Sequence, residues 1–257
     1  MGIQTVVLVN YLKHLFSEPV PDVCFNGLQV EGGTRSSKIG FAVTASEAVI
    51  QEARQQKCDT LIVHHGLFWK GGVEKITGSL KRKVQLLLDA QINLFAYHLP
   101  LDIHQIVGNN WPVAKLLGLR NLEPFGEFLG TSPGVIGTFT TPISANLLAA
   151  DLKKIYSIHG EIPFACCDPR LEITRVAICS GGAHKELQQA IAQGAQAFIT
   201  GTRDEPQWHM AIEEQVAFFP VGHHISERIG PKCLLENLEG EFGKQIQTCW
   251  IENSTPY

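Results

Sequence analysis

The feature that most constrains the fold is a regular alternation of short apolar segments with amphipathic ones. The apolar segments are KIGFAVTA, DTLIVHH and INLFAYHLPLD. The amphipathic segments that separate them are EAVIQEARQQKC and LKRKVQLLLDA. Short apolar runs bounded by turn residues are typical of strands, and the segments between them repeat their apolar residues at helical spacing. The alternation predicts mostly parallel sheets covered by helices, and the near-continuous apolar strands indicate burial on both faces.

Histidines and carboxylates follow the predicted strands at three places. They are His64 and His65 in LIVHH, His98 and Asp102 in YHLPLD, and His223 and Glu227 in VGHHISE. In an open α/β sheet, ligands bind beyond the carboxyl ends of the strands, where residues distant in sequence meet. Imidazole and carboxylate together suit Zn, Mn, Fe or Ni. Each motif alone is more typical of a turn, but the three together favour a metal site.

The charges of such a site favour an anionic substrate. Asp102 and Glu227 would return two of the four charges of a divalent pair and leave about two positive charges in excess. His98 and His209 remain open in role: they can orient ligands, act as acid or base, or only pack. The sequence has no P-loop, so the phosphate-binding chemistry of that loop is not predicted.

Composition excludes several classes of protein. The net charge of −4 over 257 residues argues against a broad nucleic-acid-binding face. No apolar run approaches the roughly 20 residues of a membrane span, and the N-terminus lacks the basic region of a signal peptide. The seven cysteines are odd in number and form no CxxC pair, which is typical of buried thiols in a reducing compartment. We therefore expect a cytoplasmic protein.

One interruption of the alternation predicts two lobes. The segment EPFGEFLGTSPG, residues 123–134, is rich in Gly and Pro, and strand and helix patterns resume after it. We expect an α/β protein with two α/β lobes, whose mostly parallel or mixed sheets are flanked by helices. Because the motif at 223–227 must return to those at 64–102 to complete one site, we assign residues 1–125 plus 217–257 to the first lobe, which carries the metal ligands. Residues 126–216 form the second lobe.

Several motifs in combination resemble a known family. LIVHHGLFWKG, INLFAYHLPLDIH, NGLQVEG and VGHHISERIG are similar to the NIF-three-like dinuclear metal centre family, whose bacterial members are labelled GTP cyclohydrolase 1 type 2 homologues. The similarity extends from about residue 25 to the C-terminal helix and is greatest to the compact branch without an inserted domain. The family's second motif often reads HTNLD; here it is HLPLD, which keeps the Asp.

This resemblance implies the following site and assembly. Two divalent ions per subunit (Zn, Mn, Fe, Ni or Mg) would be held by His64, His65, Asp102, His223 and Glu227. The subunits would form a toroidal homohexamer, a trimer of dimers. Near ITG the compact branch usually has an acidic residue after the Gly, whereas Thr202 and Arg203 follow Gly201 here. No substrate contact is therefore carried over to that loop.

The resemblance also implies an activity, for which three interpretations stay open. The first is a metal-dependent hydrolase acting on a nucleotide, in which a metal-bound hydroxide attacks a purine ring carbon as in a GTP cyclohydrolase. The second is a two-metal phosphoesterase or nuclease. The third is a non-catalytic, metal-binding hexameric scaffold. The expected partners are other copies of the chain and a small anionic substrate such as a nucleotide.

Overall fold

The computed structural model describes residues 2–72, 75–160, 162, 164 and 168–252. Its strands are β1 (Ile3–Gln4), β2 (Gly27–Val30), β3 (Arg35–Ser36), β4 (Lys38–Thr44), β5 (Thr60–His65), β6 (Asn93–Ala96), β7 (Arg120–Phe125), β8 (Gly134–Ser144), β9 (Glu172–Cys179), β10 (Ala197–Thr200), β11 (Ala217–Pro220) and β12 (Gln247–Trp250). Its helices are α1 (Thr5–Leu15), α2 (Glu47–Gln55), α3 (Gly78–Asp89), α4 (Leu99–Ile103), α5 (Trp111–Leu116), α6 (Ala145–Ile155), α7 (Leu187–Ala192), α8 (Glu205–Glu213), α9 (His223–Ser226) and α10 (Ile229–Phe242). The predicted α/β class, with mixed sheets flanked by helices, is confirmed.

The described residues divide into two compact units. The first comprises Met1–Leu101 with Gly230–Thr255, and the second comprises Asp102–Ile229. Both joins differ from the division expected from the sequence, which gave 102–125 and 217–229 to the first lobe. The reason is strand pairing: β7 pairs with β8, and β11 pairs with β10, so both strands belong to the sheet of the second unit. Asp102, His223 and Glu227 accordingly lie in the second unit.

The first unit is built on a five-stranded sheet in the order β12-β4-β5-β6-β2. β12, β4, β5 and β6 are parallel, and β2 is antiparallel to β6. On one face Leu61, Val63 and Leu94 pack in a core with Ile50 of α2 and Leu87 of α3. α2 begins where the sequence predicts, because the Ser46 hydroxyl accepts a hydrogen bond from the Val49 amide at 3.2 Å.

The second unit has a five-stranded sheet in the order β11-β10-β9-β8-β7. β9, β10 and β11 are parallel, whereas β8 and β7 are antiparallel to their neighbours. Successive side chains of β10 enter different cores: Ile199 packs in one cluster and Phe198 in the other. Burial on both faces explains why these strands read as continuous apolar runs.

The candidate ligands lie at the carboxyl ends of strands within each unit. His64 and His65 are the last two residues of β5, and His98 follows β6 by two residues. His223 begins α9 just after Gly222, whose φ of +108° allows the sharp turn from β11. Of the helices described, none has the length and apolar character that a membrane crossing requires.

Candidate metal centre

Three histidines of the first unit form a compact group, here called the histidine cluster: His64, His65 and His98. One ring nitrogen from each can be chosen so that all three atoms lie within 4.8 Å of one another. The ring centroids of His64 and His65 are 4.6 Å apart, and those of His64 and His98 are 5.1 Å apart. Trp69, from the aromatic pair after the HH motif, packs edge-on against His98 with ring centroids 5.1 Å apart.

The protein fixes the orientation of the two rings at the end of β5. His64 is fully buried, and its Nδ1 lies 2.9 Å from the backbone oxygen of Tyr97. A carbonyl oxygen only accepts, so Nδ1 carries the proton and Nε2 carries the lone pair that a metal needs. His65 Nδ1 lies 3.1 Å from Thr44 Oγ1, which again leaves Nε2 as the nitrogen directed away from the supporting strand.

His98 is positioned by a carboxylate, Asp22. His98 Nδ1 lies 2.8 Å from Asp22 Oδ1, and Asp22 also accepts hydrogen bonds from the side chain of Asn26 and the backbone amides of Cys24 and Leu99. Burial raises the pKa of Asp22, but the hydrogen bonds from His98, Asn26 and Cys24 outweigh it and lower the pKa to about 2. Asp22 is therefore ionised at neutral pH, and it holds the His98 ring as carboxylates hold metal-binding imidazoles in known sites.

In the second unit Asp102 is a buried carboxylate with its own supports. Its Oδ1 accepts hydrogen bonds from Asn109 Nδ2 at 2.8 Å and from Ser180 Oγ at 3.3 Å. Asn110 holds the Ser180 segment in turn, because its Oδ1 accepts from the Ser180 amide at 2.8 Å and its Nδ2 donates to the Pro133 carbonyl at 2.9 Å. Asp102 is thus fixed to the carboxyl end of β9.

His223 and Glu227 form a second pair in this unit. His223 Nε2 lies 3.1 Å from Glu227 Oε1, across one turn that begins at α9, and Glu227 is buried whereas His223 is half-exposed. Ser226 secures the turn: its hydroxyl donates to the His223 carbonyl at 2.8 Å and accepts from the Gly181 amide at 2.9 Å. A β-carbon at Gly181 would collide with the Glu227 carboxylate, so the glycine leaves the room that Glu227 occupies.

Cys179 lies at the end of β9, and neighbouring carboxylates affect the pKa of its thiol. Its thiol is buried, and burial raises its pKa well above the usual value. Asp102, Glu186 and Glu227 raise the pKa further because each carboxylate disfavours a thiolate. Asp102 and Glu227 thus both lie near enough to this thiol to disfavour its ionisation.

His209 is the remaining candidate residue, and several supporting side chains were not predicted from the sequence. His209 lies on α8 with an exposed side chain, 3.9 Å from Glu205 Oε1. The supporting side chains that sequence reasoning missed are Asp22, Asn109, Asn110, Ser180 and Ser226. Ser180 directly follows β9 and Ser226 lies inside the motif VGHHISE, but serine is not a typical ligand of these metals. Asp22, Asn109 and Asn110 do not directly follow a strand, although the Asn109-Asn110 pair before a helix-starting Trp-Pro is an unusual polar signal.

The donors present fit divalent metal ions. Neutral imidazoles whose second nitrogen is hydrogen-bonded, together with carboxylates, are the usual ligands of Zn, Mn, Fe and Ni. The histidine cluster offers such imidazoles within one unit. The second unit offers an imidazole and two carboxylates, and both carboxylates are buried, where a bound cation would stabilise their charge.

Known proteins are similar to this chain along almost its whole length. The chain is 39% identical over 252 residues to a GTP cyclohydrolase 1 type 2 homolog of Chlamydia pneumoniae, covering 97% of this chain and 98% of the relative. It is 40% identical over 243 residues to the protein of that name in Haemophilus influenzae, covering 94% and 95%.

Solved structures agree with this relationship. The structural-genomics protein ybgI, of unknown function, superimposes with a TM-score of 0.88 at 33% identity and covers 99% of this chain and 100% of its own. A protein from Thermus thermophilus gives the same TM-score of 0.88 at 31% identity, with the same coverage. The profile of the Duf34/NIF3 family (NGG1p interacting factor 3) matches residues 8–256. The chain therefore belongs to the Duf34/NIF3 family.

Proposed function

We propose that this protein is a metal-dependent hydrolase that acts on a nucleotide and uses two divalent ions per chain. The observation that carries the proposal is the histidine cluster, in which the first unit brings three imidazoles together and fixes each ring through its Nδ1. Such ring-fixing hydrogen bonds are the usual support of metal-binding histidines. The proposed ligands are His64, His65, Asp102, His223 and Glu227, with His98 positioned beside the first two.

The roles of the protein's own groups follow from their contacts. Asp22 accepts a hydrogen bond from His98 Nδ1, and this keeps the proton on that nitrogen. Nε2 of the ring is then able to bind a metal or to accept a proton from water. Asn109 and Ser180 hold Asp102, and Ser226 holds the turn that carries His223 and Glu227. Divalent ions bound to these groups would supply Lewis-acid activation of water at neutral pH.

The charge balance supports an anionic substrate. Asp102 and Glu227 together offset about half of the charge of two divalent ions, and the ionised Asp22 behind His98 offsets part of the rest. A modest positive excess remains, and it suits a phosphate-bearing ligand. The shared name of the relatives, GTP cyclohydrolase 1 type 2 homolog, makes GTP the first nucleotide to test.

Metal content is the first experiment. We expect about two ions per chain in protein purified without added metal, and a marked loss in both His64→Ala and Glu227→Ala, which remove one ligand from each unit. His14→Ala, an exposed substitution on α1, is the matched control and should keep the metal. Full metal content in both ligand variants, or none in the wild type after supplementation with Mn, Zn or Fe, would overturn the site.

Product analysis then separates the candidate activities. Release of formate from GTP, dependent on metal and lost in Glu227→Ala, supports opening of the purine ring. Phosphate release without formate identifies a phosphoesterase instead. Stoichiometric metal without turnover of any nucleotide refutes the hydrolase and favours the metal-binding scaffold.

We also propose that the chain assembles as a homohexamer, a trimer of dimers, as the family resemblance implies. Several large apolar side chains are exposed on the single chain, including Val6, Phe25, Ile106 and Leu116. Single exposed apolar residues are also common on monomers, so the proposed assembly rests on the family resemblance. Light scattering of the purified protein should give about six chain masses, and a monomer at micromolar concentration would refute the hexamer.

A further inference from the structure

Two cysteines of the first unit meet although they are far apart in sequence. The Sγ atoms of Cys58 and Cys249 are 3.5 Å apart, and 191 positions separate the residues along the chain. Cys58 lies between α2 and β5, and Cys249 lies in β12, the strand at one edge of the sheet. Both are reduced thiols in the structure.

The sheet provides space for this pair. β12 runs parallel to β4 with Cys249 opposite Gly40. A β-carbon at Gly40 would lie 3.2 Å from Cys58 Sγ, tighter than ordinary van der Waals contact, and 2.9 Å from a methyl group of Ile251. The glycine therefore leaves the volume in which the two sulfurs approach each other.

The two thiols differ in exposure and in charge environment. Cys58 is buried, whereas Cys249 is half-buried. The hydrogen bond with Cys58 lowers the pKa of Cys249, burial opposes this, and the ammonium of Lys38 lowers it further while Glu52 raises it. The same bond, burial and the charge of Cys249 raise the pKa of Cys58, whereas Lys38 lowers it and Asp59 raises it by less. Cys249 is the more exposed of the two thiols, so solvent stabilises its thiolate better and a peroxide reaches it first.

We propose that Cys249 and Cys58 form a reversible redox pair that a hydroperoxide oxidises to an intramolecular disulfide. The Cys249 thiolate attacks one peroxide oxygen, the O–O bond breaks, and a sulfenic acid and one water (or alcohol) form. The Cys58 sulfur then attacks the Cys249 sulfur, an S–S bond forms, and the sulfenic hydroxyl leaves as a second water with the Cys58 proton. Two thiols lose two electrons and one peroxide gains them.

Geometry and location both suit a reversible bond. The sulfurs need to approach by only about 1.5 Å to reach a disulfide length, which small side-chain rotations supply. The bond would tie β12 to the segment before β5, at the end of that strand opposite His64 and His65. Disulfides formed in reducing compartments are usually transient and redox-sensing, so we assign the pair to sensing rather than to permanent cross-linking.

Peptide mapping of the whole protein after brief peroxide treatment tests the proposal. We expect a linked peptide that contains Cys58 and Cys249, removed by a thiol reductant. In Cys58→Ser, a sulfenic acid should accumulate on Cys249 and be captured by dimedone. In Cys249→Ser, Cys58 should remain a thiol, because it is buried and its pKa is raised.

Cys233 serves as the internal control. It is also half-buried, but burial raises its pKa to about 11, so it should react at least tenfold more slowly than Cys249. The proposal is overturned if Cys249 reacts no faster than Cys233, or if peroxide oxidises Cys249 without linking it to Cys58. Melting temperatures of both Ser variants establish that they are folded, and Cys233→Ser should behave as the wild type.

Discussion

Gly201 follows β10 at a point where three segments of the second unit come together. A β-carbon there would lie 2.5 Å from the carbonyl oxygen of Gly181, 2.6 Å from Ser226 Oγ and 2.7 Å from His223 Cα. Two of these atoms belong to the backbone and cannot rotate away. Alanine at this position must therefore push apart the turns that carry Ser226 and Gly181, and His223 must move with them.

The cost of Gly201→Ala follows from these contacts. Overpacking a tight site costs about 1–3 kcal/mol. The hydrogen bond from the Gly181 amide to Ser226 is lost or lengthened, which adds about 1 kcal/mol. A total of about 2–4 kcal/mol corresponds to a fall of roughly 5–15 °C in the melting temperature of a unit of this size. Because His223 is displaced, metal content should fall as well.

Calorimetry on chelator-treated protein measures the stability without any contribution from bound metal. Gly182→Ala is the matched control, since a β-carbon at Gly182 has His223 Cε1 as its nearest neighbour at 3.8 Å, an ordinary contact. We expect Gly182→Ala to melt close to the wild type. If Gly201→Ala melted within about 2 °C of Gly182→Ala, the steric reasoning would be refuted.

Two further predictions rest on single residues. Asp22→Asn should weaken metal binding by about 10–100-fold, because the ring of His98 loses the carboxylate that holds it. Titration with Zn or Mn measures the affinity of Asp22→Asn and of the control variant Asp151→Asn, whose side chain is partly exposed. Equal affinities of the two variants would contradict the role of Asp22. Phe198→Ala should lower the free energy of unfolding by about 3–5 kcal/mol, because Phe198 is fully buried between Phe125 and Phe218. Urea denaturation measures the loss, and a cost below about 1 kcal/mol would contradict the packing.

Local pattern predicted the elements but not their partners. The periodicity of DTLIVHH and the Ser46 cap located β5 and the start of α2, because strand and helix periods and capping chemistry are local properties. The order of the sheets was not predictable in this way. β12 pairs with β4 from the other end of the chain, and β7 and β11 join the second sheet, and no local pattern states which strands pair.

Part of the candidate site could be predicted from the sequence for a similar reason. His64 and His65 end β5 and His98 follows β6, so the rule that ligands bind at the carboxyl ends of strands selects all three. Asp22 lies in a Pro-containing loop and meets His98 from 76 positions away, so nothing in its neighbourhood marks it. Asn110 shows how a local signal can mislead. It precedes α5 at the cap position, where Asn is a favoured residue, but its side chain makes no capping hydrogen bond. The side chain instead forms hydrogen bonds with the backbone of Ser180 and Pro133.

The buried polar groups at the strand ends of the two units have a cost in stability. His64, Asp22, Asp102 and Glu227 are all buried, and burial of each charged or polar group is unfavourable unless partners compensate. Each unit supplies partners for its own groups: Tyr97 and His98 in the first, Asn109, Ser180 and His223 in the second. Apolar side chains of similar volume would satisfy the same space with less need for compensation. This arrangement of fixed imidazoles and carboxylates supports the proposed metal site, because stability alone would favour apolar side chains at these strand ends.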